Sequence, residues 1–128
     1  MRLGLSIAVL LVSSFTAYGQ DCTTLDTCRQ ILETRPKSSI AHYRIAEIHF
    51  ARKEYQKAAN TFRLALDGDL DPKWVKVWSY VSLGKVFDAT GSRDRAVHFY
   101  QLAIATRDNT RGAMDEASKY LETPFAEK

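Results

Sequence analysis

Trp78-Ser79-Tyr80-Val81-Ser82-Leu83-Gly84-Lys85-Val86-Phe87, followed by Ala96, Tyr100 and Ala103, is the part of the chain that decides the fold. Working outward at an offset of 38, Leu83-Gly84 answers to Ile45-Ala46, Ala96 to Ala58, Tyr100 to Phe62 and Ala103 to Ala65. Self-similarity at a period of about 20 to 50 residues points to stacked supersecondary units. In each copy the small residue is followed 12 positions later by Ala, then after 4 by an aromatic and after 3 by Ala again. These are helical spacings on either side of a short turn. Two antiparallel helices approach closely only where side chains are small, and the aromatic fills the wedge between neighbouring pairs. An all-α chain follows.

The second copy resembles the tetratricopeptide repeat (TPR) position by position, including the turn glycine Gly91, and the first copy matches through Ile45, Ala46, Tyr55, Ala58, Phe62, Ala65 and Pro72. The first copy departs by carrying His42 and His49 on its leading helix and Lys53 in its inner turn. Rotating that helix by one residue would bring Tyr43 and Phe50 inward but bury Glu47 without a partner, so the unrotated register is expected. The resemblance implies a TPR-like α-solenoid, a right-handed stack of antiparallel helix hairpins with about two to two and a half repeats plus flanking helices. Repeat 1 is expected over 39–72 and repeat 2 over 77–110, with packing residues Ile45, Ala46, Ala58, Phe62, Ala65, Leu83, Gly84, Ala96, Tyr100 and Ala103. Asp71 and Pro72 read as an N-cap and first helical residue, so the leading helix of repeat 2 is expected to run from Pro72 to Thr90. The flanks read as half units. An N-terminal helix is expected within 24–36, with Leu25, Cys28, Ile31 and Leu32 on one face, and a C-terminal capping helix within 111–122, with Ala113, Met114, Ala117, Tyr120 and Leu121 on one stripe.

Residues 1–19 have a positive end, an apolar run from Leu3 to Phe15 and small residues before Gln20, the order of a secretory signal peptide. The mature chain, 20–128, is then expected outside the cytoplasm, periplasmic or secreted, with no membrane association after cleavage. Export lets Cys22 and Cys28 pair. Thr23 to Asp26 reads as a helix start with a capping-box acid, placing Cys22 outside the helix and Cys28 one turn inside. A structural bridge over so short a ring contributes roughly 2 kcal/mol at most. Free buried thiols are the alternative, and a redox pair a further one, though the spacing is not CxxC and no His or Lys flanks it.

Of 128 residues, 45% are hydrophobic and 26% charged, with two cysteines and a formal charge of +3, which excludes a disordered tail, a disulfide scaffold and a multi-domain enzyme. Mixed-sign charge without a basic run gives no argument for nucleic acid. His42 and His49 lie about 10 Å apart on one helix, too far to share a metal. No Ser/His/Asp set, phosphate-cradling loop or HExxH motif occurs in the sequence, so neither an enzyme nor a cofactor is expected. In the repeat family the leading helices form the inner surface. The resemblance therefore implies a binding groove of Ile40, Tyr43, Glu47 and Phe50 from the first copy, and Trp78, Val81, Lys85 and Asp88 from the second. Trp74, one turn before Trp78, and Trp78 itself belong either to this surface or over the preceding core. Glu47 and Asp88 stand where carboxylate-gripping relatives carry Asn, so that specificity is not carried over. A scaffold that binds a protein or peptide segment is the expected function. The alternative is an assembly subunit, self-associating as a homo-oligomer through an open end near Tyr120 and Leu121.

Overall fold

The computed structural model describes residues 21–127, so the signal segment assigned to 1–19 lies outside the described residues. Six α-helices follow one another, α1 (Leu25–Thr34), α2 (Ser39–Ala51), α3 (Tyr55–Leu66), α4 (Trp74–Ala89), α5 (Arg93–Ala105) and α6 (Ala113–Glu122), and among the described residues there is no strand. The protein is all-α. None of these helices is long and apolar enough to cross a membrane.

Local chemistry sets the ends of the helices. Thr24, not Thr23, caps α1: its hydroxyl accepts from Thr27 N, while Thr27 Oγ1 accepts from Thr24 N, so the reciprocal partner is a threonine instead of Asp26. The hydroxyl of Ser38 accepts from Ala41 N at the start of α2. Helix α4 begins at Trp74, two residues later than Pro72. The ends of α2 and α4 share one design at the 38-residue offset. Glu54 N reaches back to His49 O as Ser92 N reaches to Phe87 O, and Lys53 N bonds Phe50 O as Gly91 N bonds Asp88 O. Such a stop needs a residue in the left-handed region, and both turn residues are there, Lys53 at φ 60° and Gly91 at φ 80°. Lysine accepts a strain on the order of 1 kcal/mol that glycine avoids.

The three-residue connections turn α3 back along α2 and α5 back along α4, and these two pairs share the most extensive contacts, with α3 against α4 and α5 against α6 next. All ten offset-related positions, Ile45, Ala46, Ala58, Phe62 and Ala65 with Leu83, Gly84, Ala96, Tyr100 and Ala103, are buried. The small residues work by closeness. A Cβ built on Gly84 would lie 2.6 Å from Tyr100 Cδ1 and 2.7 Å from its Cζ. The unrotated register of α2 follows from the same constraint, with Ala46 fully buried and Glu47 on the half-exposed flank.

The Cys22–Cys28 disulfide ties the entry of α1 to its second turn, and a satellite core of Cys22, Cys28, Ile31, Ala41 and Ile45 packs α1 on α2, with Leu25 and Leu32 at its edge. At the other end Ala113 and Ala117 of α6 are buried, and Tyr120 and Leu121 pack against the main core. In the connection between α3 and α4, Asp69 ties the chain back to the start of α2. Its Oδ1 accepts from Ser39 N and Asp71 N, both at 3.1 Å, and Oδ2 faces Arg35 at 3.5 Å. Partial burial opposes ionisation of Asp69, yet the two N–H donors and Arg35 outweigh it and hold the carboxyl below its ordinary range.

Two outcomes follow. Gly84→Ala should destabilise by on the order of 2 kcal/mol through overpacking against Tyr100, read as a fall of roughly 10 °C in the thermal midpoint; an unchanged midpoint contradicts the crossing. Because the folded-state pKa of Asp69 is depressed, its contribution is present above the ordinary carboxylate pKa and is lost as pH falls through the folded value. The midpoint should therefore hold between about pH 5 and 8 and drop below about pH 4. Asp69→Asn should flatten part of that drop in circular-dichroism melts.

Candidate functional site

Two helices of equal pitch carry the same spacing toward one hollow. Tyr43, Glu47 and Phe50 on α2, and Trp78, Ser82 and Lys85 on α4, each recur at steps of four and three, the rise that keeps side chains on one helical face. With Phe62 of α3 they line a cavity of about 250 Å³. Each wall presents aromatic surface and one charge, Glu47 facing from α2 and Lys85 from α4 at equivalent repeat positions.

The walls are held from behind. Tyr43 is only 5% exposed; its ring meets Phe62 at 5.6 Å and Trp74 at 5.4 Å, both edge-on. Burial, with the Glu47 carboxylate beside it, pushes its phenol far above the ordinary tyrosine range, so it stays protonated as a neutral edge of the cavity. Trp74 thus covers the core of the preceding pair, and the guanidinium groups of Arg44 and Arg111 lie 5.4 Å and 5.0 Å from its ring. Arg44 also donates to Glu47 at 2.8 Å and to both Asp21 oxygens at 2.9 Å and 2.8 Å. The Asp21 carboxyl is held below its usual range chiefly by that Arg44 hydrogen bond. Trp78 is anchored through its indole N–H, which donates to Thr110 O at 3.0 Å. Lys85 sits 3.6 Å from Glu116 of α6.

Of the residues expected to line the groove, Tyr43, Glu47, Phe50, Trp78 and Lys85 converge on the cavity. Val81 and Ile40 do not. Val81 is fully buried, because α4 is packed by α2, α3, α5 and α6 together and an apolar side chain there turns into the core, and Ile40, in the first turn of α2, is 2% exposed in the same core. Asp88 is also displaced from the surface, its side chain only 1% exposed. It acts as an internal acceptor: Arg93 Nη1 donates to both oxygens at 3.0 Å, Tyr100 OH donates at 2.8 Å and Phe125 N at 2.9 Å. Burial, and then Asp88 beside it, raise the Tyr100 phenol well above its ordinary range, keeping the donor protonated. Arg93 Nη2 further caps α6 by donating to Tyr120 O at 2.8 Å and Leu121 O at 2.9 Å.

Sequence reasoning missed three contributors. Ser82 stands four residues after Trp78 and was readable from that spacing. Phe62 was assigned to packing alone, and residues 123–127, which lay Phe125 against the lining residues Phe50 and Lys85, offer no periodic signal. Phe125 lies 5.9 Å from the Phe50 ring and 5.4 Å from that of Tyr120, with Lys85 Nζ 4.9 Å above its own.

His42 and His49 face separate partners, His42 Nε2 at 3.0 Å from Pro36 O and His49 Nδ1 at 3.3 Å from Glu54. Among the described residues no group of three His, Cys, Asp or Glu side chains is placed to hold a metal. A larger and more open hollow of about 630 Å³ lies between Lys73, Lys76 and the loop from Thr106 to Thr110. Two of its polar side chains serve the loop itself: Asp108 accepts from Thr110, and Asn109 Oδ1 accepts from Met114 N and Asp115 N at the start of α6. Compared with family models, with curated proteins and with solved structures, the chain finds no match.

Asp88→Ala should lower stability by on the order of 3 kcal/mol in urea unfolding, since it strips Arg93 and Tyr100 of a buried acceptor, whereas Asp88→Asn should lower it less. A loss under about 1 kcal/mol is incompatible with this role.

Proposed function

We propose that the chain is a TPR-like helical-repeat scaffold that binds a peptide or protein segment in the hollow between α2 and α4. In this reading the pairs α2–α3 and α4–α5 are successive repeats of a right-handed solenoid, with α1 and α6 as flanking half units. The observation that carries it is the convergence of Tyr43, Glu47 and Phe50 with Trp78, Ser82 and Lys85 on one cavity. Aromatic surface on rigid helices supplies contact area at little entropic cost, and the Glu47 and Lys85 pair gives a bound segment a polarity. The small-residue crossings at Ala46 and Gly84, repeated with matching helix stops, support the repeat assignment.

The location proposed with this function is outside the cytoplasm, as an exported periplasmic or secreted protein. The leader pattern of residues 1–19 and the Cys22–Cys28 bridge support it. Association through an open end near Tyr120 and Leu121 has less support, because Arg93 caps those carbonyls and Phe125 packs on Tyr120. No catalytic role is assigned to any side chain.

Panning a displayed peptide library against the full chain tests the proposal. Enriched segments should lose at least about 2 kcal/mol of affinity on Trp78→Ala in a chain that still melts cooperatively. They should be unaffected by Leu64→Ala, a side chain 50% exposed and outside the hollow. Binders that ignore Trp78 but depend on Leu64 overturn it.

A further inference from the structure

Residues 123–127 leave α6 in extended form, Thr123 having φ −128° and ψ 116°, and cross the C-terminal ends of α2 and α4. Three kinds of handle hold them. A backbone group is gripped where Phe125 N donates to Asp88 Oδ2 at 2.9 Å. A ring is gripped where Phe125 packs between Phe50 and Tyr120 under Lys85 Nζ. A carboxylate is gripped where Glu127 accepts from Tyr55 OH and lies 3.9 Å from Lys53 Nζ.

An extended segment of another chain offers the same three handles when it carries an aromatic residue and a carboxylate at this spacing, and none depends on the covalent link to α6. The grip is also local. Thr123, Pro124, Ala126 and Glu127 are exposed and only Phe125 is half-buried, so the segment can open without disturbing the helices. Its seat is continuous with the cavity, because Phe50 and Lys85 border both. The two fixed points on α2 and α4, Phe50 and Asp88, are the same repeat position 38 residues apart.

Resting on the reading of this hollow as a segment-binding groove, we infer that residues 123–127 are its resident ligand. The groove takes from other chains an extended segment in which an aromatic residue is followed two positions later by a carboxylate, and that segment displaces 123–127. Attachment to α6 gives the resident segment an effective concentration on the order of millimolar, so a free competitor meets a substantial handicap.

The probe is a labelled synthetic peptide of residues 121–127, Leu-Glu-Thr-Pro-Phe-Ala-Glu. It is titrated by fluorescence anisotropy into the full chain and into the full chain carrying Phe125→Ala and Glu127→Ala. The doubly substituted chain should bind it saturably and at least tenfold more tightly than the native chain, and a peptide with Phe125→Ala should bind at least tenfold more weakly. Equal binding by the two chains, or none by a doubly substituted chain that melts cooperatively, overturns the inference. Hydrogen exchange on the native chain tests it without substitution: the Phe125 amide should exchange at least 100-fold faster than that of Val81, and equal protection overturns it. Trp78-dependent library binders that lack the aromatic-and-acid spacing, and ignore the double substitution, sink this inference while leaving the groove standing. Trans-binding of the peptide without any Trp78-dependent library binder does the reverse.

Discussion

The C-terminal half of this molecule leans on the contact between Gly84 and the ring of Tyr100. With no Cβ at Gly84 the ring lies directly against the α4 backbone, and a methyl group there would overlap it. That closeness delivers the Tyr100 hydroxyl to Asp88 at 2.8 Å, and Asp88 in turn fixes Arg93 and the Phe125 amide. Arg93 completes the chain of dependence by capping the last carbonyls of α6. A packing constraint at one glycine therefore sets the position of a buried carboxylate, a helix end and the segment beyond it. A carboxyl as enclosed as Asp88 is tolerated only with donors around it, and Arg93 and Tyr100 supply them from within the helical pair.

The two copies solve the same packing problem with different chemistry, and the difference makes the site. Ala46 and Phe62 in the first copy stand where Gly84 and Tyr100 stand in the second, so the first crossing is wholly apolar. At the position of Asp88 the first copy has Phe50, and at that of Lys85 it has Glu47. The two walls thus meet at one offset-related pair, Glu47 and Lys85, of opposite charge. One end offers a ring to pack on and the other a carboxylate to hold a backbone N–H. A surface of two identical walls would lack this direction. The same asymmetry seats residues 123–127, which lay Phe125 on Phe50 and its amide on Asp88.

Much of the helical framework was legible in the sequence, since the spacing of small and aromatic residues encodes which faces must touch. The ten offset-related residues are all buried, and the helix stops recur at Lys53 and Gly91. The inner surface was legible only in part. Tyr43, Glu47, Phe50, Trp78 and Lys85 are residues that the family resemblance implied for it, but the burial of Val81 and Asp88 depends on how many neighbours surround α4. Periodicity assigns a residue to a face and says nothing of what later covers that face. Residues 123–127 cover it, and a run of five residues around a proline has no period to read.

What the sequence by itself determined is the alternation of helix and turn and the points of closest approach, because short-range sterics and the absence of a Cβ act within a few residues of each position. What only the tertiary structure decided is the fate of the polar and aromatic groups: that Asp88 is an internal acceptor, that Trp74 covers Tyr43, and that Phe125 lies against Phe50. Those outcomes join residues as many as 75 positions apart. Burial and charge pairing depend on distance in space, and that distance is fixed only once all six helices are packed.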